Sequence, residues 1–338
     1  MKKKVILLIS LVATLMPNLG KTTEIYKVFE SGRFDLYLNA RYFKTVANFE
    51  ANGEKKSLPN NSYLQDISLI STARYLFLNS TGVYSGLSFN NLESNNGTTN
   101  RTNSILTNFF LGIDYQFFQS KKWSLYTDIA YAFSNEKIDL KGDSALASSG
   151  ASELKAQLVN VLKLHSFRSF VKVGYNHRTE GLSSLVLYGA GSEYILGTSA
   201  IGIELEGGTS VKDDELTKTA QVRETLTTRV NAGSKKHFSI NPNSLEAQLY
   251  YSYAFDSNFV IKLNAGATVV GSNSADGYFA GLLLNLRFGG TSSVHKQHSK
   301  KVLNNSSLPD NEPGFKVETE DGVNQDLFKS AEPIKPKK

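Results

Sequence analysis

Between residues 277 and 288 apolar and polar side chains alternate almost residue by residue. Tyr278, Ala280, Leu282, Leu284, Leu286 and Phe288 share one parity, and Phe279, Gly281, Leu283, Asn285 and Arg287 the other. Successive side chains of a strand point to opposite faces, so the pattern predicts a strand with an aliphatic face closed by an aromatic at each end. The same rhythm recurs upstream. Residues 33–43 set Phe34, Leu36, Leu38, Ala40 and Tyr42 against Asp35, Tyr37, Asn39 and Arg41, and residues 63–77 set Ile67, Leu69, Ala73, Tyr75 and Phe77 against Asp66, Ser68, Thr72 and Arg74. In residues 105–117 the apolar set is Ile105, Phe109, Leu111, Ile113, Tyr115 and Phe117. Further strands are predicted at 83–89, 123–133, 154–164, 168–176, 193–206, 219–231, 245–255 and 259–269. The period-2 template fits each of these better than a helical one.

Twelve strands result. Long polar connections are predicted at 44–62, 92–104, 138–151, 179–191 and 233–244, and tight turns at 78–82, 118–121, 166 and 256–257. Such alternation marks a barrel with short turns at one end and long loops at the other; the 207–217 connection breaks it, being long where a short turn is due. None of the seven prolines falls inside a proposed strand, as a wall whose every N–H must pair demands. An aromatic–aliphatic–aromatic face about 10 residues long suits a strand that crosses a bilayer. A soluble sandwich would bury that face but would leave a polar face on every strand to be housed. The expected fold is therefore all-β: a transmembrane antiparallel up-and-down β-barrel over residues 33–289, with twelve strands and fourteen as the alternative.

Composition narrows the picture in three ways. The 338-residue chain has no Cys, which removes disulfides and thiolate metal sites. The formal charge of +6 loses Lys2, Lys3 and Lys4 with residues 1–20, which read as a cleavable secretory signal: a basic start, an apolar core from Val5 to Met16, then Pro17. So mild a balance, with no basic patch interleaved with aromatics, excludes nucleic acid as a partner. Residues 290–338 hold four of the seven prolines and few hydrophobics, so a disordered polar tail is expected, periplasmic if the strand count is even.

The segment 277–288 resembles the closing strand of bacterial outer-membrane β-barrel proteins, with Tyr278, Gly281, Leu284, Leu286 and Phe288 matching its assembly signal. One departure is that some fifty residues follow Phe288, where most of that family ends on the aromatic. The resemblance implies a porin-like protein of the Gram-negative outer membrane, with outer-membrane lipids and the barrel assembly machinery as partners. The tail is a candidate tether for a periplasmic or cell-wall partner.

What chemistry there is lies on the polar parity. Candidate lumen-lining residues are Arg41, Arg74, Asp114, Asp128, Arg168, Lys172, Arg223, Arg229, Lys262 and Arg287. Basic groups slightly outnumber acidic ones, which predicts a weakly anion-selective pore. The expected function is passive passage of small hydrophilic solutes; the alternative is a structural or adhesive barrel without transport. His237-Phe238-Ser239, with Asn241 nearby, has the His–Ser spacing of outer-membrane phospholipases, but Pro242 places it in a loop and no enzyme is expected. No cofactor, and no metal at His295 and His298, is expected either.

Overall fold

The alternation closes on itself. The computed structural model describes residues 27–290. Its strands are β1 (Arg33–Phe49), β2 (Lys55–Ser57), β3 (Tyr63–Leu78), β4 (Thr81–Asn95), β5 (Asn100–Gln119), β6 (Trp123–Ser134), β7 (Glu153–Leu164), β8 (Phe167–Arg178), β9 (Leu185–Leu196), β10 (Ser199–Ser210), β11 (Asn243–Ala254), β12 (Phe259–Ser272) and β13 (Ser274–Gly289). Each pairs antiparallel with its neighbour, and β13 pairs with β1 from Gly289↔Arg33 to Ser274↔Phe49. Three-residue β2 only extends the edge of β1, so twelve strands make the wall. Closure leaves no unpaired edge, which the hydrocarbon interior of a bilayer requires. The two described prolines sit outside the ladder, Pro59 in a single 3-10 turn and Pro242 just before β11.

The outer face carries the apolar parity. Leu38, Leu69, Leu87, Leu111, Leu158, Val173, Ile203, Leu249 and Leu263 are exposed there. At the short-turn end Phe34 lies 6.1 Å from Phe288, Phe167 lies 6.3 Å from Tyr194, and Phe255 stacks at 5.0 Å on Phe259. Phe109, Phe133, Tyr175 and Tyr278 ring the other end. Two aromatic girdles around an aliphatic band are the profile of a transmembrane barrel.

Twelve is the count the periodicity predicts, but it is reached through two errors that cancel. Residues 193–206 are no single strand. They bridge β9 and β10 through a turn at Gly197-Thr198, where Gly197 takes φ +64°. Residues 219–231 are not a strand at all but helix α1 (Ala220–Val230). Its buried positions 223, 226, 227 and 230 follow helical spacing, although Val222, Leu226 and Val230 also share strand parity. Both corrections resolve the anomalous connection. The short turn is 197–198, and everything from 211 to 242 belongs to the long-loop end.

The Asn-rich stretch at 92–104 is likewise mostly ladder, with only residues 96–99 outside β4 and β5. A bulge at Ser88/Phe89 against Asn108/Leu106 changes the parity of β5, so Leu106 faces out and Ile105 turns in, contrary to the uninterrupted alternation predicted for 105–117. Strand lengths divide the wall in half. The contiguous strands β6 to β11 have 12 residues each, whereas β12, β13, β1, β3, β4 and β5 have 14 to 20.

Candidate functional site

The polar parity points into the barrel, and the lumen it lines has three storeys. At the short-turn end, Arg74 is almost fully buried and forks onto Asp114 with two hydrogen bonds of 2.8 Å. Its third nitrogen bonds Asp35 at 3.1 Å, and Arg33 Nε reaches the other oxygen of Asp35 at 2.7 Å. Arg287 stands directly across the ladder from Asp35. A bidentate fork with further donors offsets the cost of taking such charges out of bulk water.

The chain ahead of β1 turns back into this storey at Gly32, whose φ of +77° is open to glycine with no steric cost. Phe29 packs with Leu76, Tyr126, Val159, Val161 and Phe170, its ring 4.8 Å from the Arg74 guanidinium. Lys27 Nζ contacts Asp114 Oδ2 at 3.0 Å and also pairs with Asp128.

The middle storey is a chamber of about 490 Å³. On one side Glu204 stands between Lys262 at 3.4 Å and Lys172 at 3.8 Å, while Lys172 also pairs with Glu206. Gln248 donates to Glu204 at 2.8 Å and accepts from Asn264 at 2.5 Å. Across the lumen lie Tyr84 and Phe110. Each is the ladder partner of a glycine, Tyr84 of Gly112 and Phe110 of Gly86. A Cβ on either glycine would come within 2.2 Å of the ring, so these rings lie flat on the wall and leave the lumen open. Phe170 over Gly191 and Tyr250 over Gly202 repeat the arrangement opposite.

The outer storey is an insert built from residues 135–152 and 211–242. Leu146, Ala151, Leu226, Val230 and Phe238 form its apolar core, which Leu182 of the 179–184 loop joins and Ile138 packs against. Asn231 fastens the two segments by donating to Leu146 O at 3.2 Å and accepting from Leu146 N at 2.8 Å. The insert meets the inner wall at several points. Asn90 and Asn103 donate to Ala147 O and Ala145 O at 3.0 and 2.7 Å, Asn48 to Gly233 O at 2.8 Å, and Lys235 pairs with Glu50 at 2.7 Å. Lys236 lies 4.0 Å over the Phe43 ring, and His237 Nε2 stands 3.6 Å from Asp66. Burial pushes the Lys236 ammonium down, and burial together with Lys236 pushes His237 down to about 3, so His237 is neutral here.

The sequence candidates distribute over this scheme. Arg74, Asp114, Asp128 and Arg287 belong to the inner storey, and Lys172 and Lys262 to the chamber. Arg168 pairs with Glu193 at 3.3 Å near the short-turn end, and Arg41 with Glu246 at 2.7 Å above the chamber. Arg223 and Arg229 are not wall residues. Both lie on α1, Arg223 paired with Asp214 and 4.1 Å over Phe238, and Arg229 donating to Leu140 O and Gly142 O at 2.9 and 2.6 Å. Of the closing-strand residues, Tyr278, Leu284, Leu286 and Phe288 share the outward parity, while Gly281 faces in against Asn264. His237 and Ser239 sit in the insert, and Asn241 bonds Thr217 at 3.1 Å and not His237. Residues 1–20 and the tail after Gly290 lie outside the described residues.

Lys27 and Phe29 were missed because they precede the first strand and carry no pattern. Tyr84 and Phe110 stand on the polar parity but carry no charge, and only charged side chains were candidates for the lumen. Their signal was present, each being an aromatic on the polar parity with a glycine opposite.

No family model and no curated protein matches the sequence. Among solved structures, an outer-membrane channel from Pseudomonas putida F1 superposes with a TM-score of 0.61 at 13% identity, covering 79% of this chain and 100% of its own. The KdgM porin gives a TM-score of 0.41 at 10% identity over 73% and 97% of the two chains. The translocator domain of the autotransporter NalP from Neisseria meningitidis gives 0.44 at 10% over 75% and 88%. The first of these likenesses shows the fold, a closed antiparallel β-barrel, here of twelve strands.

Proposed function

We propose that the protein is an outer-membrane channel that passes small hydrophilic solutes passively, with the short-turn end in the periplasm. The observation that carries this reading is the chamber. A lumen meant only to be filled would have its charged side chains packed against one another. Here about 490 Å³ stays open at mid-barrel, and the Glu206 side chain is 42% exposed to it. Flattened aromatics on opposite walls keep it open. The two inserted segments narrow the pathway at the long-loop end. Lys172 and Lys262 are neutralised by Glu204 and Glu206, so the anion selectivity that the sequence suggests should be slight.

Refolded protein in planar bilayers should show small, discrete conductance steps, and Lys172→Glu should move the reversal potential in a salt gradient toward cations. The structural or adhesive alternative draws support from the packed core of the outer insert. It predicts no steps at any voltage, and a silent wild type that is correctly inserted would decide for it.

A further inference from the structure

Inside the lumen one side chain of the protein behaves as a ligand. Lys27 Nζ lies 3.0 Å from Asp114 Oδ2, pairs with Asp128 Oδ2, and stands 4.7 Å from the centre of the Tyr84 ring. The two carboxylates are not equivalent. Asp114 already holds Arg74 by two hydrogen bonds, so it keeps a counter-ion if Lys27 leaves. Asp128 has no other cation among the described residues, only the Tyr84 hydroxyl at 2.6 Å. The ring is held flat above Gly112, so its face stays presented whether or not an ammonium is there. Carboxylate, second carboxylate and aromatic face around one point is the arrangement that recognises a primary ammonium.

The occupant is tied by side chains more than by its backbone. Residues 27–30 belong to no strand. Besides the Lys27 pairs, the Phe29 contact and an interaction of Glu30, their backbone is held by Arg74 Nη1 donating to Val28 O at 2.9 Å and Arg33 N donating to Glu30 O at 3.3 Å, and just beyond them Gly32 N donates to Leu76 O at 2.8 Å. A segment with so few backbone hydrogen bonds opens locally at low cost. The site it fills also borders the open chamber, which Lys27, Tyr84 and Asp128 help to line.

We propose that Asp128, Asp114 and Tyr84 form a binding site for small primary-ammonium solutes, and that Lys27 is its tethered competitor. A soluble amine that reaches the chamber takes the place of Lys27 and releases the segment 27–30 from the periplasmic end. This rests on the channel reading for its route of access. A side chain on a short tether acts as a competitor at millimolar effective concentration. Free amines therefore bind the wild type weakly, and removing the Lys27 charge tightens them by about tenfold or more.

The test uses the full chain in detergent and n-butylammonium as the probe, with n-butanol as the uncharged control, followed by calorimetry or ligand-observed NMR. Lys27→Met should bind n-butylammonium at least about tenfold more tightly than the wild type. Lys27→Met combined with Asp128→Asn should lose that binding, and butanol should bind none of them. Equal affinity in wild type and Lys27→Met, or tight binding that survives Asp128→Asn, overturns the proposal. If the double variant fails to fold, Lys27→Met alone decides, since Lys27 lies outside every strand. Binding in detergent needs no conduction, so the two readings fail separately. A protein that binds the amine in this way but never conducts retains the site and loses the channel. One that conducts but shows no Lys27-dependent binding loses the site alone.

Discussion

The two halves of the wall meet the outer boundary differently. Along β6 to β11 the strands stop after 12 residues, and the chain leaves the ladder for 135–152, 179–184 and 211–242. Along β3 to β5 the ladder runs on past the apolar band, and its polarity inverts. Below the rim Ile67, Leu69 and Leu87 point outward; above it Gln65, Asn91, Glu93, Thr102 and Ser104 do. On the inward side Leu64 and Leu92 become fully buried, covered by Ala145 and Ala147 of the insert with Ile105 alongside. The sheet of β3 to β5 is thus a membrane wall below and a soluble sheet above, because its apolar side faces whatever excludes water. The short half supplies the cover. The comparison shows that strand alternation reports the surroundings of a sheet and not a fixed inside and outside.

Breaking the cover should have the largest effect. Leu226 is buried in the core of the insert, and Leu226→Ala should cost about 2–5 kcal/mol. The loss should fall on the insert: faster amide exchange over 211–242 and larger conductance steps, with heat-modifiability of the barrel on gels unchanged. Wild-type exchange and conductance together would show that the insert does not narrow the lumen.

A slightly smaller effect sharpens the boundary itself. Leu284 shares the lipid-facing parity of β13, and Thr102 the outward parity of β5 above the rim. Leu284→Arg should cost about 2–4 kcal/mol near mid-bilayer. Thr102→Arg, facing water, should stay within about 0.5 kcal/mol. Urea unfolding from lipid vesicles measures both, and equal costs would put the upper ladder of β5 inside the bilayer.

The smallest effect concerns pH. His237 has its pKa pushed down to about 3 by burial and by Lys236, against an ordinary value of about 6.5. Asp66 on β3 stands 3.6 Å from it and Lys236 beside it, and Lys236 in turn interacts with Arg41 on β1 and Glu246 on β11. A depressed pKa means that the folded insert disfavours the imidazolium. Its contribution is therefore fully present above about 6.5 and declines as pH falls from there toward about 3. Protection over 211–242, with exchange corrected for its intrinsic pH dependence, should fall across that window more in the wild type than in His237→Gln. A variant with the wild-type profile would assign the change to the surrounding carboxylates.

Much of the fold was legible in the sequence because a lipid-facing wall imposes one rule on every strand. Apolar residues must alternate with polar ones over the bilayer thickness, so β1, β3, β8, β11, β12 and β13 stand out without reference to one another. The rule weakens wherever the surroundings are not lipid. Gly189, Gly191 and Ser192 give β9 little apolar contrast, so the turn at Gly197-Thr198 passed as strand interior. The apolar residues of α1 are spaced by four, which satisfies a strand and a helix alike; the choice was made by packing against Leu146 and Phe238 from elsewhere in the chain. The candidate site divides the same way. That Arg74, Asp114, Asp128, Lys172 and Lys262 face inward follows from parity alone. That Asp114 and Asp128 hold Lys27, and that Tyr84 lies flat over Gly112, depends on which strands are neighbours and on a segment before the first strand. Local alternation therefore determined the wall of this protein. What fills the wall was decided only by contacts between residues distant in the chain, for which a single sequence carries no periodic signal.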